Sequence, residues 1–260
     1  MPKVTQGMPP QVRKQKMLQL VNENGSMTVA QLCKHLQVSP ATVRNDLTEL
    51  EKAGVLKRDH GGAMNIDSVG YEPSTHQKQV QHVEEKKNIA AAAASLIRPG
   101  DAIALDTGTT TLELAKLLGS FQNLTVVTND LAIASYLEQS TQAAIMLAGG
   151  FVRRNFNCTS GQPALETLSH LHVDKVFLAA NGVSLKNGLT TPNMDTADVK
   201  KAMLSFADQV FLLADSSKVN KNAFVSFAAL SEVHTWICDR NMPKAFAQEV
   251  LQTGVDLRLV

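Results

Sequence analysis

Short apolar runs alternate with helical patterns from residue 84 to residue 214, and this alternation restricts the fold of the 260-residue chain more tightly than any other feature. The runs are Ala102 to Leu105, Leu124 to Thr128, Ala144 to Leu147, Lys175 to Ala179 and Val210 to Ala214, each closed by small or polar residues. Strands this short, separated by helices, predict a largely parallel sheet covered by helices. Ligands of open sheets of that kind sit outside the carboxyl ends of the strands, so the residues that follow each run are the candidates for chemistry.

The composition is that of an ordinary globular chain, 44% hydrophobic and 19% charged, far from disordered or collagen-like extremes. No run approaches the roughly 18 to 20 apolar residues of a membrane span. The longest candidate, Ile89 to Ile97, is Ala-rich and flanked by charge. Met1 to Pro10 lacks the basic end, apolar run and small-residue cleavage site of a signal peptide, so the expected location is the cytoplasm, with no membrane partner. Cys33, Cys158 and Cys238 are odd in number and far apart, which predicts isolated reduced thiols. His170 and His172 form a His-x-His with no evident third ligand, and no metal site is expected.

A near-neutral total hides an asymmetry. Up to Met64 the chain has nine Lys/Arg and five Asp/Glu; beyond it there are 16 and 19. A basic head on a mildly acidic body points to a polyanionic partner for the head, although a solvated helix face can carry as many charges. Val12, Met17, Leu18, Leu20 and Val21 recur at helical spacing before Asn24-Gly25. Thr28 then caps a second helix that turns Val29, Leu32, Cys33 and Leu36 inward, and Ser39-Pro40 opens a third running to about Lys52. This third helix turns Val43, Leu47 and Leu50 inward and leaves Ala41, Thr42, Arg44, Asn45 and Thr48 nearer solvent. Two helices joined by a tight turn, the second starting with small, polar and basic residues, have the geometry of a recognition helix in the major groove. Arg and Asn also pair with guanine and adenine edges. Residues 55–63 read as a short basic strand pair around a glycine turn, a wing in which Lys57 and Arg58 neutralise phosphates. A three-helix bundle made for protein contact shares this periodicity, so the ordered string decides.

That string, Val38-Ser39-x-x-Thr42-Val43-Arg44-x-Asp46-Leu47-x-x-Leu50-Glu51-x-x-Gly54-x-Leu56-x-Arg58-x-His60-Gly61-Gly62-Ala63, resembles the winged helix-turn-helix of the DeoR family of bacterial transcriptional regulators. The resemblance implies double-stranded operator DNA as partner, with contacts from Ser39, Thr42, Arg44 and Asn45 and from Arg58 in the wing. Many members carry Arg where this chain has Asn45, a difference expected to alter the operator sequence read. Asp46 is expected to orient a basic neighbour, since phosphates repel a carboxylate. Residues 1–64 are thus read as a small α+β winged helix-turn-helix domain. Residues 65–83, polar and containing Gly70 and Pro73, are read as a linker, and 84–260 as a larger α/β domain with a mostly parallel sheet, for sensing and oligomerisation.

Among the strand ends, Asp106-Thr107-Gly108-Thr109-Thr110-Thr111 follows an apolar run and opens a helix, so its N–H groups and hydroxyls face any anion there. A Thr-rich capping turn without a ligand fits the hexapeptide equally. Thr128-Asn129-Asp130, Gly149-Gly150 and Asp215-Ser216-Ser217-Lys218 repeat the pattern, and four polar tips at corresponding positions favour a pocket. The same strings, with Glu85-Lys86, Asp174 to Leu178 and Gly188-Leu189-Thr190, resemble the C-terminal half of DeoR-family proteins, a domain similar in fold to ribose-5-phosphate isomerase and glucosamine-6-phosphate deaminase that senses phosphorylated sugars. The resemblance implies that Thr107, Gly108, Thr109, Thr110 and Thr111 hold the phosphate, and that Asp106, Asn129 and Lys218 meet sugar hydroxyls or the phosphate rim, beside Gly149 and Gly150. Where many relatives have Glu before Ala-x-x-Lys this chain has Thr196, so a carboxylate contact is either lost or taken over by Asp195. Arg153 and Arg154 fit an anion contact and a solvated basic turn alike.

These observations predict a sequence-specific DNA-binding regulator, a repressor of a carbohydrate-metabolism operon, that needs no cofactor, responds to a phosphorylated sugar and works as a homodimer or homotetramer. The alternative is a sugar-phosphate isomerase or deaminase-like enzyme with an appended DNA-binding module. Fold alone does not confer chemistry, and Thr196 removes one obvious general base.

Overall fold

The computed structural model describes residues 8–59, 61–65 and 71–260. His60 of the wing string, the first seven residues and 66–70 of the expected linker lie outside the described residues. The chain divides into a first compact unit ending at Tyr71 and a second running from Glu72 to Val260.

The first unit contains α1 (Pro10–Asn24), β1 (Ser26–Thr28), α2 (Val29–Leu36), α3 (Pro40–Lys52), β2 (Lys57–Asp59) and β3 (Gly62–Met64). Thr28 and Gln31 form a capping box at α2, and the Ser39 hydroxyl accepts the Thr42 N–H at the start of α3; caps of this kind stabilise a helix by about 1 kcal/mol. Gln37, in the left-handed region at φ 54°, makes the turn between them. Met17, Val21, Leu32, Leu36, Val43, Leu47 and Leu50 close one core, while Val12, expected in the apolar stripe, is 50% exposed. The wing is antiparallel β2 on β3, and β3 also pairs with β1. That third strand follows Gly25 and is too short to leave a period in the sequence. The backbone of Met27 and Thr28 lies so close to Gly62 that a Cβ there would come within 2.2 Å of the Met27 carbonyl oxygen.

The second unit contains α4 (Thr75–Gln79), α5 (Val83–Ala94), β4 (Ala102–Leu105), α6 (Thr109–Ala115), β5 (Thr125–Thr128), α7 (Leu131–Ser140), β6 (Ala144–Leu147), β7 (Phe151–Arg153), β8 (Cys158–Ser160), α8 (Gln162–Leu168), β9 (Val173–Leu178), β10 (Gly182–Ser184), β11 (Gly188–Thr191), α9 (Met194–Ser205), β12 (Ala207–Leu213), β13 (Val225–Ala228), β14 (Thr235–Cys238), α10 (Lys244–Gln252) and β15 (Asp256–Leu259). Seven strands form a parallel sheet in the order β15-β14-β12-β9-β4-β5-β6. Alternate residues of each strand point to opposite faces, and both faces are covered. Ile103, Leu105, Val126, Phe177, Phe211, Leu213 and Ile237 pack with α5, α6 and α7. Ala104, Val127, Val176, Leu178, Leu212 and Trp236 pack with α8, α9 and α10. Each large side chain fully buried in this way contributes roughly 1.5–3 kcal/mol. An antiparallel sheet β10-β11-β13 and the hairpin β7–β8 complete the unit.

One expectation changes here. Of the residues read as linker, those from Glu72 onward belong to the second unit: Ser74 and Gln77 form a capping box at α4, Thr75 N donates to Asn155 O at 2.9 Å, and Glu72 is held by two ion pairs. Polar composition suggested a joint, but the polar groups are satisfied by the domain itself.

Candidate functional site

In the first unit, Ser39 caps α3, and Thr42, Arg44 and Asn45 lie in its first half. Ser39 Oγ and Thr42 Oγ1 are 2.9 Å apart, and Arg44 and Asn45 are exposed. Arg58 comes to the same helix from the wing, with Nη1 donating to Thr48 Oγ1 at 2.8 Å and its backbone N–H to Glu51 Oε1 at 3.0 Å. Lys57 lies over the Tyr71 ring, 5.2 Å from its centroid. Asp46 points inward and is 5% exposed. It takes two hydrogen bonds from the guanidinium of Arg13 on α1, at 2.5 Å from Nε and 3.1 Å from Nη2. This bidentate pair fixes the angle of α3 against α1 and leaves the polar half of α3 turned outward.

In the second unit the carboxyl ends of the parallel strands form the candidate pocket. Asp106, after β4, is fully buried. Its Oδ1 accepts Thr107 N at 2.8 Å, and its Oδ2 accepts Ala179 N at 2.9 Å and the Lys200 ammonium. Lys200 also donates to Ala179 O at 2.9 Å and lies over the Phe227 ring. Thr107 Oγ1 donates to Asp130 Oδ2 at 2.8 Å, and Thr111 Oγ1 to Gly108 O. Burial raises the Asp130 carboxyl above its ordinary range, against the lowering effect of the Ile133 N–H, the Thr107 hydroxyl and the Ala132 N–H. Thr109, Thr110 and Thr111 are buried in the first turn of α6, a helix of seven residues.

Asn129, after β5, donates from Nδ2 to Thr159 O at 2.9 Å. That carbonyl can only accept, which fixes the orientation of the amide. Among the described residues, Asn129 Oδ1 is the one buried side-chain polar atom without a partner. Gly149 and Gly150 follow β6; Gly150 has φ 137° and a Cβ there would strike Ser160 O at 2.5 Å, so no larger residue fits. Lys218 sits half-buried in the turn capped by Asp215, and Asp239 holds that turn through Ser216 N and Ser216 Oγ.

Of the cations near these strand ends, the sequence offers Arg153 as an anion contact and Lys86 within the family string, and gives no sign of Lys78. Lys86 is buried, with Nζ donating to the carbonyls of Lys78 and Gln81, and burial lowers its pKa to about 8. Burial likewise lowers Lys78, with Glu72 opposing. Arg153 donates from Nη1 to Thr196 Oγ1 at 2.8 Å and from Nη2 to Glu72 Oε2 at 3.0 Å. The carboxylate near position 196 is therefore Glu72, while Asp195 is exposed. Lys86 and Lys200 each sit on a helix face that reads as ordinary, and only the topology brings them to the strand ends. No group of three possible metal ligands occurs among the described residues, and no helix there is long and apolar enough to cross a membrane.

Comparison with known proteins agrees with both halves. Residues 13–69 match the DeoR-like helix-turn-helix domain and residues 81–240 the DeoR C terminal sensor domain. The chain is 36% identical to the HTH-type transcriptional regulator GlpR of Haloferax volcanii, over 95% of this chain and 97% of that protein. It is 37% identical to the lactose phosphotransferase system repressor of Staphylococcus epidermidis, over 88% and 92%. Among solved structures, a D-ribose-5-phosphate isomerase in complex with phospho-erythronic acid matches at a TM-score of 0.40 and 20% identity, over 52% of this chain and 53% of that one. With a DNA-reading helix-turn-helix and a sensor domain matched in order along one chain, the protein is a transcriptional regulator, not an enzyme, and belongs to the DeoR family.

Proposed function

We propose that the chain represses a carbohydrate-metabolism operon from the cytoplasm, and that a phosphorylated sugar bound at the carboxyl ends of β4, β5, β6 and β12 controls its grip on operator DNA. The observation that carries the effector half is Asn129 Oδ1, a buried acceptor with no donor among the described residues. Such an atom costs free energy unless something donates to it, and a sugar hydroxyl is a donor of the right kind. The loop from Asp106 to Thr111, with Gly149, Gly150 and Lys218, supplies hydroxyls, N–H groups and positive charge around it, and Lys86, Lys78 and Arg153 add cations suited to a phosphate. Asp106 acts mainly as the anchor that holds Lys200 and the Thr107 turn. On the DNA side, Ser39, Thr42, Arg44 and Asn45 read the operator, with Lys57 and Arg58 on the flanking backbone. The name of one relative, a lactose phosphotransferase system repressor, supports the carbohydrate assignment.

Self-association into a homodimer or homotetramer joins two heads on paired half-sites. The sheet edge supports it, since β6 and β7 expose Met146, Leu147, Phe151 and Val152. The test is a gel-retardation titration on the DNA upstream of the gene, with and without a panel of phosphosugars, alongside light scattering for mass. Binding that one phosphosugar shifts by roughly 5- to 150-fold, the usual span of allosteric coupling, supports the reading. Binding that no phosphosugar alters defeats the effector half.

A further inference from the structure

We propose that Arg153 and Lys78 form a phosphate-binding subsite of the effector pocket, and that the Glu72 carboxylate occupies it in this structure as an internal stand-in. The inference rests on the strand-end reading above and names the group that the effector must displace.

Glu72 is bound by one oxygen to each cation, Oε1 at 3.1 Å from Lys78 Nζ and Oε2 at 3.0 Å from Arg153 Nη2. All three side chains are withdrawn from solvent, 11% exposed for Glu72, 18% for Arg153 and 25% for Lys78. Phe156 fixes the two cations beside each other without neutralising either, its ring centroid 4.3 Å from the Arg153 guanidinium carbon and 5.9 Å from Lys78 Nζ. The second arm of Arg153 is spent on the neutral Thr196 hydroxyl, which Asn193 Oδ1 orients. Two positive charges thus share one negative charge. A phosphate monoester carries about −1.5 to −2 near neutral pH, and a guanidinium takes its oxygens in the same forked geometry it offers a carboxylate. Phosphate therefore matches the pair better than the single carboxylate does.

The subsite adjoins the rest of the pocket. Thr196 and Lys200 are one turn apart on α9, and Lys200 reaches Asp106 at the head of the Thr107 loop. From the other side, α4 packs against α6, the helix that this loop opens.

Glu72 directly follows Tyr71, the last residue of the DNA-reading unit. Displacing it loosens the first anchor of the chain segment leading out of that unit, next to the Thr75 N to Asn155 O bond on the β7–β8 turn. A ligand that prefers the displaced state shifts the population toward it, which gives phosphate a route to the head that needs no change in the sheet.

The test uses the full chain and inorganic phosphate, measured by isothermal titration calorimetry. Glu72→Gln should bind phosphate at least about fivefold more tightly than the unmodified protein, the low end of coupling between sites, because the competitor is gone. The gain should vanish in Glu72→Gln combined with Arg153→Gln. Glu249→Gln, which removes an exposed carboxylate on α10, should give no gain and so separates displacement from a general change of charge. In the unmodified protein, saturating phosphate should speed hydrogen exchange at the Thr75 amide. Equal affinity in Glu72→Gln and the unmodified protein, or a gain that survives the loss of Arg153, overturns the stand-in and leaves the pocket reading intact. Phosphate binding to none of these proteins defeats both.

Discussion

Asp106 and Lys200 lie 94 positions apart in the chain and meet as an ion pair with 0% and 3% of their side chains exposed. Through it, α9 is tied to the ends of β4 and β9, since both partners also bond the backbone of Ala179. Replacing Lys200 by Met strands a buried carboxylate, and removing one partner of such a pair costs about 3–5 kcal/mol. Trp236 is the chain's single tryptophan and lies in the second unit, so urea unfolding followed by its fluorescence reads this unit alone. The double variant Asp106→Asn with Lys200→Met should recover part of the loss. A loss under about 1 kcal/mol in the single variant would mean that the two backbone N–H groups suffice to hold Asp106.

The recognition helix gives a second prediction. Arg44→Ala should cost about 1–3 kcal/mol in operator affinity and relax the sequence preference if the guanidinium pairs with a base. Lys57→Gln should weaken binding to all DNA and reduce the log-log salt slope by about 0.9 if the ammonium touches one phosphate. Footprinting and salt titration distinguish these outcomes. An unchanged footprint removes Arg44 from base reading, and an unchanged slope removes Lys57 from the interface, where the Tyr71 ring would remain its partner.

The parts legible in the sequence were those whose signals are local. The caps at Thr28 and Ser39 and the apolar positions Val43, Leu47 and Leu50 located α2 and α3 because each signal lies within a few residues of the element it marks. Runs such as Ala102 to Leu105 disclosed buried parallel strands. β12 starts at Ala207, earlier than its apolar run, because Asp208 and Gln209 occupy the solvent-facing end of the strand. Thr235 to Cys238 and Asp256 to Leu259 were not among the runs read as strands; the second is half polar, and both are strands because neighbours already in the sheet supply their partners. In the site, hydroxyl and glycine loops declared themselves at strand ends. The Arg153, Lys78 and Glu72 cluster did not, because its members are up to 81 positions apart, and no spacing rule connects them.

Lys86 makes the pocket sensitive to pH. Its folded pKa of about 8 lies below the ordinary 10.5 because burial disfavours the ammonium. Between those values the unfolded chain holds a proton that the folded chain has released, so stability rises with pH across the window, and the penalty of the buried charge is present in full below it. Relative to Lys86→Gln, the native protein should gain stability as pH climbs from about 8 to about 10.5, whereas phosphate affinity should fall as pH rises through about 8, where the folded protein loses the positive charge. A carbon-13 titration of the lysine side chains that finds Lys86 at the value of exposed lysines would refute both expectations.

Asn129→Leu separates ligand binding from folding. In the free protein the amide makes one hydrogen bond, to Thr159 O, and carries one unpaired acceptor. The variant loses the bond, worth about 1 kcal/mol, and also loses the cost of the orphaned oxygen, about 1–3 kcal/mol, so its unfolding curve should move little. With effector bound the balance differs, because Oδ1 would then be satisfied by a hydroxyl and the variant forfeits that contact. The phosphosugar concentration needed to release the operator should rise roughly tenfold for a contact of about 1.4 kcal/mol, while operator affinity without effector stays unchanged. Should the release curve and the Trp236 unfolding curve both match those of the native protein, the effector does not touch Asn129, and the buried acceptor needs another explanation.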